Sequence, residues 1–211
     1  MLTFKDNKIQ IVRGLLEPLF LDTVQRLMMQ IISEMVKTPP AHFRPDPQCE
    51  KRYPLGRHLI TEALLYAATP MVSKIVGMDL LPTYTFPVIN FPGAELTRHT
   101  DRPACEVTAT LTIVNEPNTI WPIFVEDHAK TTHRVDLNPG DLLIYDGINF
   151  PHWREPQDAG HFNISVFFHF VTVGGPNATW HDRELRQHEN LVNLYSPRAL
   201  AALFPDKISD N

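Results

Sequence analysis

From Leu81 onward the hydrophobic pattern of this chain shortens to a period of two. Thr83 to Phe91, Thr97 to Asp101, Glu106 to Val114, Trp121 to Glu126, Thr131 to Leu137, Asp141 to Tyr145 and Phe162 to Val173 are short apolar or alternating runs separated by turn residues. Runs of that length, rich in β-branched and aromatic residues, predict strands. Seven or eight strands at this spacing, with no helical stretch between them, suggest a sandwich or jelly-roll barrel rather than an open parallel sheet. The expected fold is mainly β with flanking helices.

The helices are expected on either side of that core. Lys8 to Leu16 reads as a strand, and Glu17-Pro18 starts a helix to about Val36, with Leu19, Val24, Leu27, Met28, Ile31, Ile32 and Met35 at helical spacing. Thr38 to Arg57 holds Pro39-Pro40, Pro45 and Pro47. Proline removes amide donors and restricts its neighbour, so this is a long loop, and long loops in compact domains often serve as lids. Helical signals resume from His58 to about Ala68 and, after Pro70, to Ile75, closed by Gly77. Beyond Gly174-Gly175-Pro176, His181 to Leu191 and Pro197 to Leu203 read as helices that cover the barrel or join a second copy.

With 211 residues, 43% of them hydrophobic and 20% charged, the chain can bury one good core but not two. One domain is expected, with an N-terminal strand and supporting helices over 1–80, a jelly-roll core over 81–173 and a helical extension over 174–211. The net charge of −5, with scattered basic residues, argues against a nucleic-acid partner. Cys49 and Cys105 have no close spacing, which fits reduced thiols better than a disulfide framework. The first residues lack the basic and apolar regions of a signal peptide, and no apolar run approaches membrane-spanning length, so a cytoplasmic location and no membrane association are expected.

The chemistry centres on Leu96-Thr97-Arg98-His99-Thr100-Asp101-Arg102. An imidazole and a carboxylate two positions apart on an extended backbone point to one side and can grip one metal ion. A His-x-Asp or His-x-Glu arises about once by chance among ten histidines and twenty-four acidic residues, so the pair gains weight only from heading a strand. His152 is the best third ligand, because it closely follows another strand after Pro139-Gly140-Asp141. Two histidines and one carboxylate, with the opposite face open, suit non-haem iron(II) oxygenases.

At these residues the sequence resembles the 2-oxoglutarate- and iron(II)-dependent oxygenases, especially their prolyl-hydroxylase-like branch, over roughly Leu81 to Val173. The resemblance implies a double-stranded β-helix, iron(II) held by His99, Asp101 and His152, 2-oxoglutarate as cosubstrate, and dioxygen. Decarboxylation would yield succinate and CO2 while a carbon of a small molecule, amino acid or peptide side chain is hydroxylated. The aspartate favours hydroxylation over halogenation, since halogenating members carry a small residue there. Desaturation or ring closure depends on substrate placement that the ligands do not encode.

The chain departs from that pattern at one position. Counting from His152, the family places an arginine or lysine nine or ten residues on, to hold the far carboxylate of 2-oxoglutarate; here those positions are His161 and Phe162. His161 and Ser165 are expected to take that carboxylate, with a hydroxyl from the Thr108, Thr110, Thr112 face and Arg102 as the reserve cation. Trp153 and Arg154 are expected to line the substrate mouth, Trp121 to belong to the core, and His169 to be structural. The missing cation keeps open a cupin-type iron dioxygenase that does not use 2-oxoglutarate. A non-enzymatic jelly-roll binding protein, with a fortuitous triad, is the third reading.

Overall fold

The computed structural model describes residues 3–37, 46 and 48–181. Its helices are α1 (Phe4–Asn7), α2 (Pro18–Lys37) and α3 (Leu59–Val76). The strands are β1 (Ile9–Val12), β2 (Arg52–Pro54), β3 (Leu80–Asn90), β4 (Leu96–His99), β5 (Val107–Glu116), β6 (Ile123–Glu126), β7 (Thr132–Val135), β8 (Leu142–Asp146), β9 (His152–Arg154) and β10 (Phe162–Thr172). They form two antiparallel sheets, a six-stranded one in the order β1-β8-β5-β10-β3-β2 and a four-stranded one in the order β4-β9-β6-β7. The chain crosses between the sheets repeatedly, as a jelly roll requires.

Alternation assigns the two faces of the larger sheet. Ala109, Leu111 and Ile113 of β5, Leu142 and Ile144 of β8, and Ile164, Val166, Phe168 and Phe170 of β10 join one buried cluster with Val24 and Met28 of α2 and Leu65 and Val72 of α3. The opposite face looks into the barrel. There Leu143 and Tyr145 of β8 pack with Ile123 and Val125 of β6 and with Phe150. Thr108, Thr110 and Thr112 of β5 and Ser165 and His169 of β10 stand on that inward face and are buried.

Several elements differ from the sequence expectation. Helix α3 runs unbroken through Pro70, because that proline is exposed while Thr61, Leu64, Leu65, Ala68, Val72 and Val76 hold the other side against the sheet. By length and composition alone α3 is apolar enough to cross a membrane, contrary to the expectation that no such run exists; here it serves as a core helix. Strand β1 is shorter than Lys8 to Leu16, and β4 ends at His99, before Asp101. β2 lies inside the segment expected to be all loop, and β9 adds a strand beyond those expected. The expected lid residues 38–45 and the two C-terminal helices beyond 181 fall outside the described residues.

The turn ahead of β8 is held by one carboxylate. Gly140 sits at φ +88, a conformation that favours glycine, and delivers Asp141 into a buried position. Asp141 accepts hydrogen bonds from Arg13 Nη1 at 2.7 Å, the Gly14 amide at 2.9 Å and the Asn138 amide at 2.9 Å. Burial opposes its charge, yet these three donors hold its pKa below the ordinary carboxylate range. The stabilisation is therefore present above the unfolded carboxylate pKa and is lost as pH falls through the lower folded value. Asp141→Ala is expected to lose about 2 kcal/mol in urea denaturation at neutral pH, since the exposed Arg13 and two turn amides lose the buried carboxylate that accepts from them.

Candidate metal centre

Strands β4 and β9 set two imidazoles opposite one another. His99 is the cross-strand partner of His152, and their ring centroids are 4.3 Å apart. His99 Nδ1 lies 2.7 Å from the Thr97 carbonyl, and His152 Nδ1 lies 3.0 Å from the Phe150 carbonyl. A carbonyl oxygen only accepts, so both Nδ1 atoms donate and both Nε2 atoms present lone pairs. Burial, and then the neighbouring His99, push the pKa of His152 down to about 3, which keeps that imidazole neutral.

Both lone pairs face Asp101. Its Oδ1 is 3.8 Å from His99 Nε2 and 3.6 Å from His152 Nε2. Strand alternation does not place this carboxylate, because Asp101 lies beyond the end of β4. Its amide instead donates to the Gly147 carbonyl at 2.8 Å, and its Oδ2 accepts from the Thr108 hydroxyl at 2.6 Å. One oxygen is thus anchored and the other is left for an ion.

The donor set fits a metal. Two donors bound to one ion at about 2.1 Å can be separated by at most about 4.2 Å, and both carboxylate–imidazole pairs are inside that limit. All three donor atoms lie within 4.8 Å of one another. Two neutral nitrogens and one carboxylate oxygen suit iron(II), with the remaining coordination positions open to the cavity. Asp101, Cys105 and His169 form a second convergent group. Cys105 is less suited to binding, since burial and the Asp101 charge push its thiol up to about 12 and it lies 3.1 Å from the Tyr84 hydroxyl. The Thr108 hydroxyl meanwhile bridges Asp101 and His169 Nδ1, the latter at 3.2 Å. This second group supports Asp101.

The three donors open on a cavity of about 450 Å³ whose walls include Arg52, Tyr84, Arg102, Tyr145, Phe167 and His169. Of the expected cosubstrate residues, Arg102 reaches it, with Nε donating to the Tyr84 hydroxyl at 3.1 Å. Thr108 also lines it. Thr110, Thr112 and Ser165 are buried on the same inward face but do not form its wall. The Ser165 hydroxyl donates to Asn163 Oδ1 at 2.7 Å.

Three expectations are corrected by placement. His161 lines a different cavity, of about 220 Å³, with Trp121, Phe124 and Arg134, because it precedes β10 and never enters the inward-facing row. Trp153 alternates away from His152, stacking on Phe124 with centroids 5.6 Å apart, with Arg98 over its ring. Arg154 is 2% exposed and lies against Trp121, so it is no rim residue. Trp121 is buried, as expected of a core residue, and His169 is buried in the cavity wall. The residues that sequence reasoning missed are Arg52, Tyr84 and Tyr145. Arg52 lies in a three-residue strand within a proline-rich segment, too short to carry a periodic signal.

No family model matches the chain, and no curated protein matches it. Solved structures do. A prolyl-4-hydroxylase from Pseudomonas putida superposes with a TM-score of 0.60 at 17% identity, over 80% of this chain and 95% of that one. The non-haem alpha-ketoglutarate-dependent epimerase SnoN from nogalamycin biosynthesis gives 0.62 at 10% identity, over 80% and 78%. HygX from Streptomyces hygroscopicus, with nickel, 2-oxoglutarate and hygromycin B bound, gives 0.59 at 11% identity, over 80% and 84%. The paired antiparallel sheets and the His-Asp-His cluster between them thus belong to a chain with the jelly-roll fold of the 2-oxoglutarate- and iron-dependent oxygenases.

Proposed function

We propose that the chain is a non-haem iron(II)- and 2-oxoglutarate-dependent dioxygenase that hydroxylates an unactivated carbon of a small molecule, amino acid or peptide side chain. The observation that carries this reading is the convergence of His99 Nε2, Asp101 Oδ1 and His152 Nε2 on one cavity. Iron(II) and 2-oxoglutarate bound there would supply the oxidation, using dioxygen to form succinate and CO2 while one oxygen atom goes to the substrate carbon.

The chain's own groups provide geometry and enclosure. Thr97 and Phe150 carbonyls fix the two imidazoles in the tautomer that leaves Nε2 unprotonated. Thr108 fixes the rotation of the Asp101 carboxylate. Tyr84, Phe86 and Phe167 form an aromatic wall beside the donors, which limits water access to the reacting carbon. Asp101 fills the third protein position, which favours hydroxylation. Among the comparison structures, a prolyl hydroxylase suits the peptide alternative, while the epimerase SnoN and HygX with bound hygromycin B suit a small molecule.

Anaerobic titration with iron(II) and then 2-oxoglutarate tests this reading through the weak visible charge-transfer band of the chelate. The band is expected to require both additions and to vanish in His99→Ala. Iron binding without a band would favour an iron dioxygenase that does not use 2-oxoglutarate. Absence of stoichiometric iron binding, unchanged by His99→Ala, would reduce the protein to a binding module. With the band established, succinate release across candidate substrates identifies the carbon that is oxidised.

A further inference from the structure

Two arginines are buried inside this protein, and among the described residues one carboxylate, Asp46, pairs with them. Arg52 is 3% exposed and Arg154 2%. Arg52 Nε donates to Asn90 Oδ1 at 2.8 Å, and Nη1 stands 3.6 Å from Asp46 Oδ2, an ion pair too long for a hydrogen bond. The guanidinium lies over the Phe167 ring at 5.4 Å, and Nη2 has no hydrogen-bond partner among the described residues. Arg154 Nη1 donates to the Trp121 carbonyl, the group stacks on the Trp121 ring at 4.7 Å, and again Nη2 has no hydrogen-bond partner among the described residues.

The charges around this pair do not balance. The groups acting on Arg154 are Arg52, Tyr145 and Cys49, none of them a carboxylate, while Arg52 has Asp46. Among the described residues, one positive charge is left in excess in a desolvated place. A buried charge without a counter-ion is strongly unfavourable, and a guanidinium N–H without a partner suits a carboxylate oxygen. The arrangement is that of an anion site.

Its position says which anion. Arg52 lines the same cavity as His99, Asp101 and His152. It also meets the inner row of β10 through amides: Asn90 Nδ2 donates to Asn163 Oδ1 at 3.0 Å, and Asn163 Nδ2 donates to Asn115 Oδ1 at 2.7 Å. The first inward residue of β10 is thus a neutral amide already engaged by its neighbours, and the nearby cation arrives from β2, the edge strand of the larger sheet. We propose that Arg52 anchors the far carboxylate of a 2-oxo dicarboxylate in the metal cavity, with Arg154 as a second buried charge behind it. This rests on the reading of the cavity as a 2-oxoglutarate site. Asp46 aligns the guanidinium through Nη1, and Nη2 stays available.

The test compares 2-oxoglutarate with pyruvate, which has the same chelating end and no far carboxylate, by the band formed with anaerobic iron(II). The wild-type protein is expected to prefer the dicarboxylate by on the order of a hundredfold or more, the usual effect of a buried charge-assisted contact. In Arg52→Met that preference disappears, with iron and pyruvate affinities unchanged, which also shows that the variant folds. Arg52→Lys, a point charge without the fork, loses about tenfold of the 2-oxoglutarate affinity; it decides the matter if Arg52→Met does not fold. A dicarboxylate preference unchanged in these variants overturns the inference, as does wild-type protein that binds iron and both acids equally; both results leave the metal centre standing. Failure of the wild-type protein to bind iron overturns the functional reading first, and this inference with it.

Discussion

Asp101→Ala is expected to abolish turnover and weaken iron(II) binding by at least about a hundredfold, because loss of even an outer partner of a metal ligand costs about ten- to a hundredfold. The effect on folding is small by comparison. The Asp101 amide bond to the Gly147 carbonyl survives the change, and only the Thr108 hydroxyl loses an acceptor, so metal-free stability should fall by about 1 kcal/mol. His152→Ala would confound the two readouts, since that imidazole is 3% exposed and its removal empties space in the core. Iron titration beside urea denaturation of the metal-free protein checks the separation. A variant that binds iron as the wild-type protein does would remove Asp101 from the ligand set.

The parts of this fold that were readable from sequence are those with long, regular signals. The two eleven-residue strands β3 and β10 carry enough apolar residues for their type to be plain. The histidine–aspartate pair was readable too, although for an incomplete reason. Alternation puts His99 on the right face, but a hydroxyl from β5 and a carbonyl at Gly147 orient Asp101, and neither can be inferred from local spacing. His152 sits on a three-residue strand whose existence depends on pairing with β4 and β6. Tertiary pairing of that kind leaves no periodic trace.

The misplaced expectation of His161 has the same origin. A count along the sequence from His152 assumes that the connection to β10 has a fixed length and that the cation must come from that strand. The connection instead leaves His161 among the residues of a separate cavity, and β10 enters the barrel with Asn163 and Ser165 inward. Arg52 is 111 residues upstream of Asn163, and only the β2–β3 and β3–β10 pairings bring them together. A cosubstrate cation supplied by Arg52 would keep the chemistry of the site while leaving no trace in the spacing from His152.

Gly147→Ala should damage fold and metal centre together, through space rather than backbone conformation. A Cβ at position 147 would stand 2.4 Å from the Cys105 carbonyl oxygen, 2.5 Å from Thr108 Oγ1 and 2.7 Å from Asp101 Oδ2. The carbonyl belongs to the short turn over Pro103–Cys105 and cannot rotate aside alone, and the other two atoms are the hydrogen-bonded pair that orients the Asp101 carboxylate. Overpacking of this kind costs about 1–3 kcal/mol, and displacement of Asp101 should lower iron affinity at least about tenfold. Gly56→Ala is the matched control. Its Cβ meets nothing within 4 Å, but φ is +74, so it should lose about 1–2 kcal/mol through backbone strain alone and bind iron normally. If both variants bind iron equally well, Asp101 is held by contacts other than the packing around Gly147, and the hydroxyl of Thr108 becomes the group to remove next.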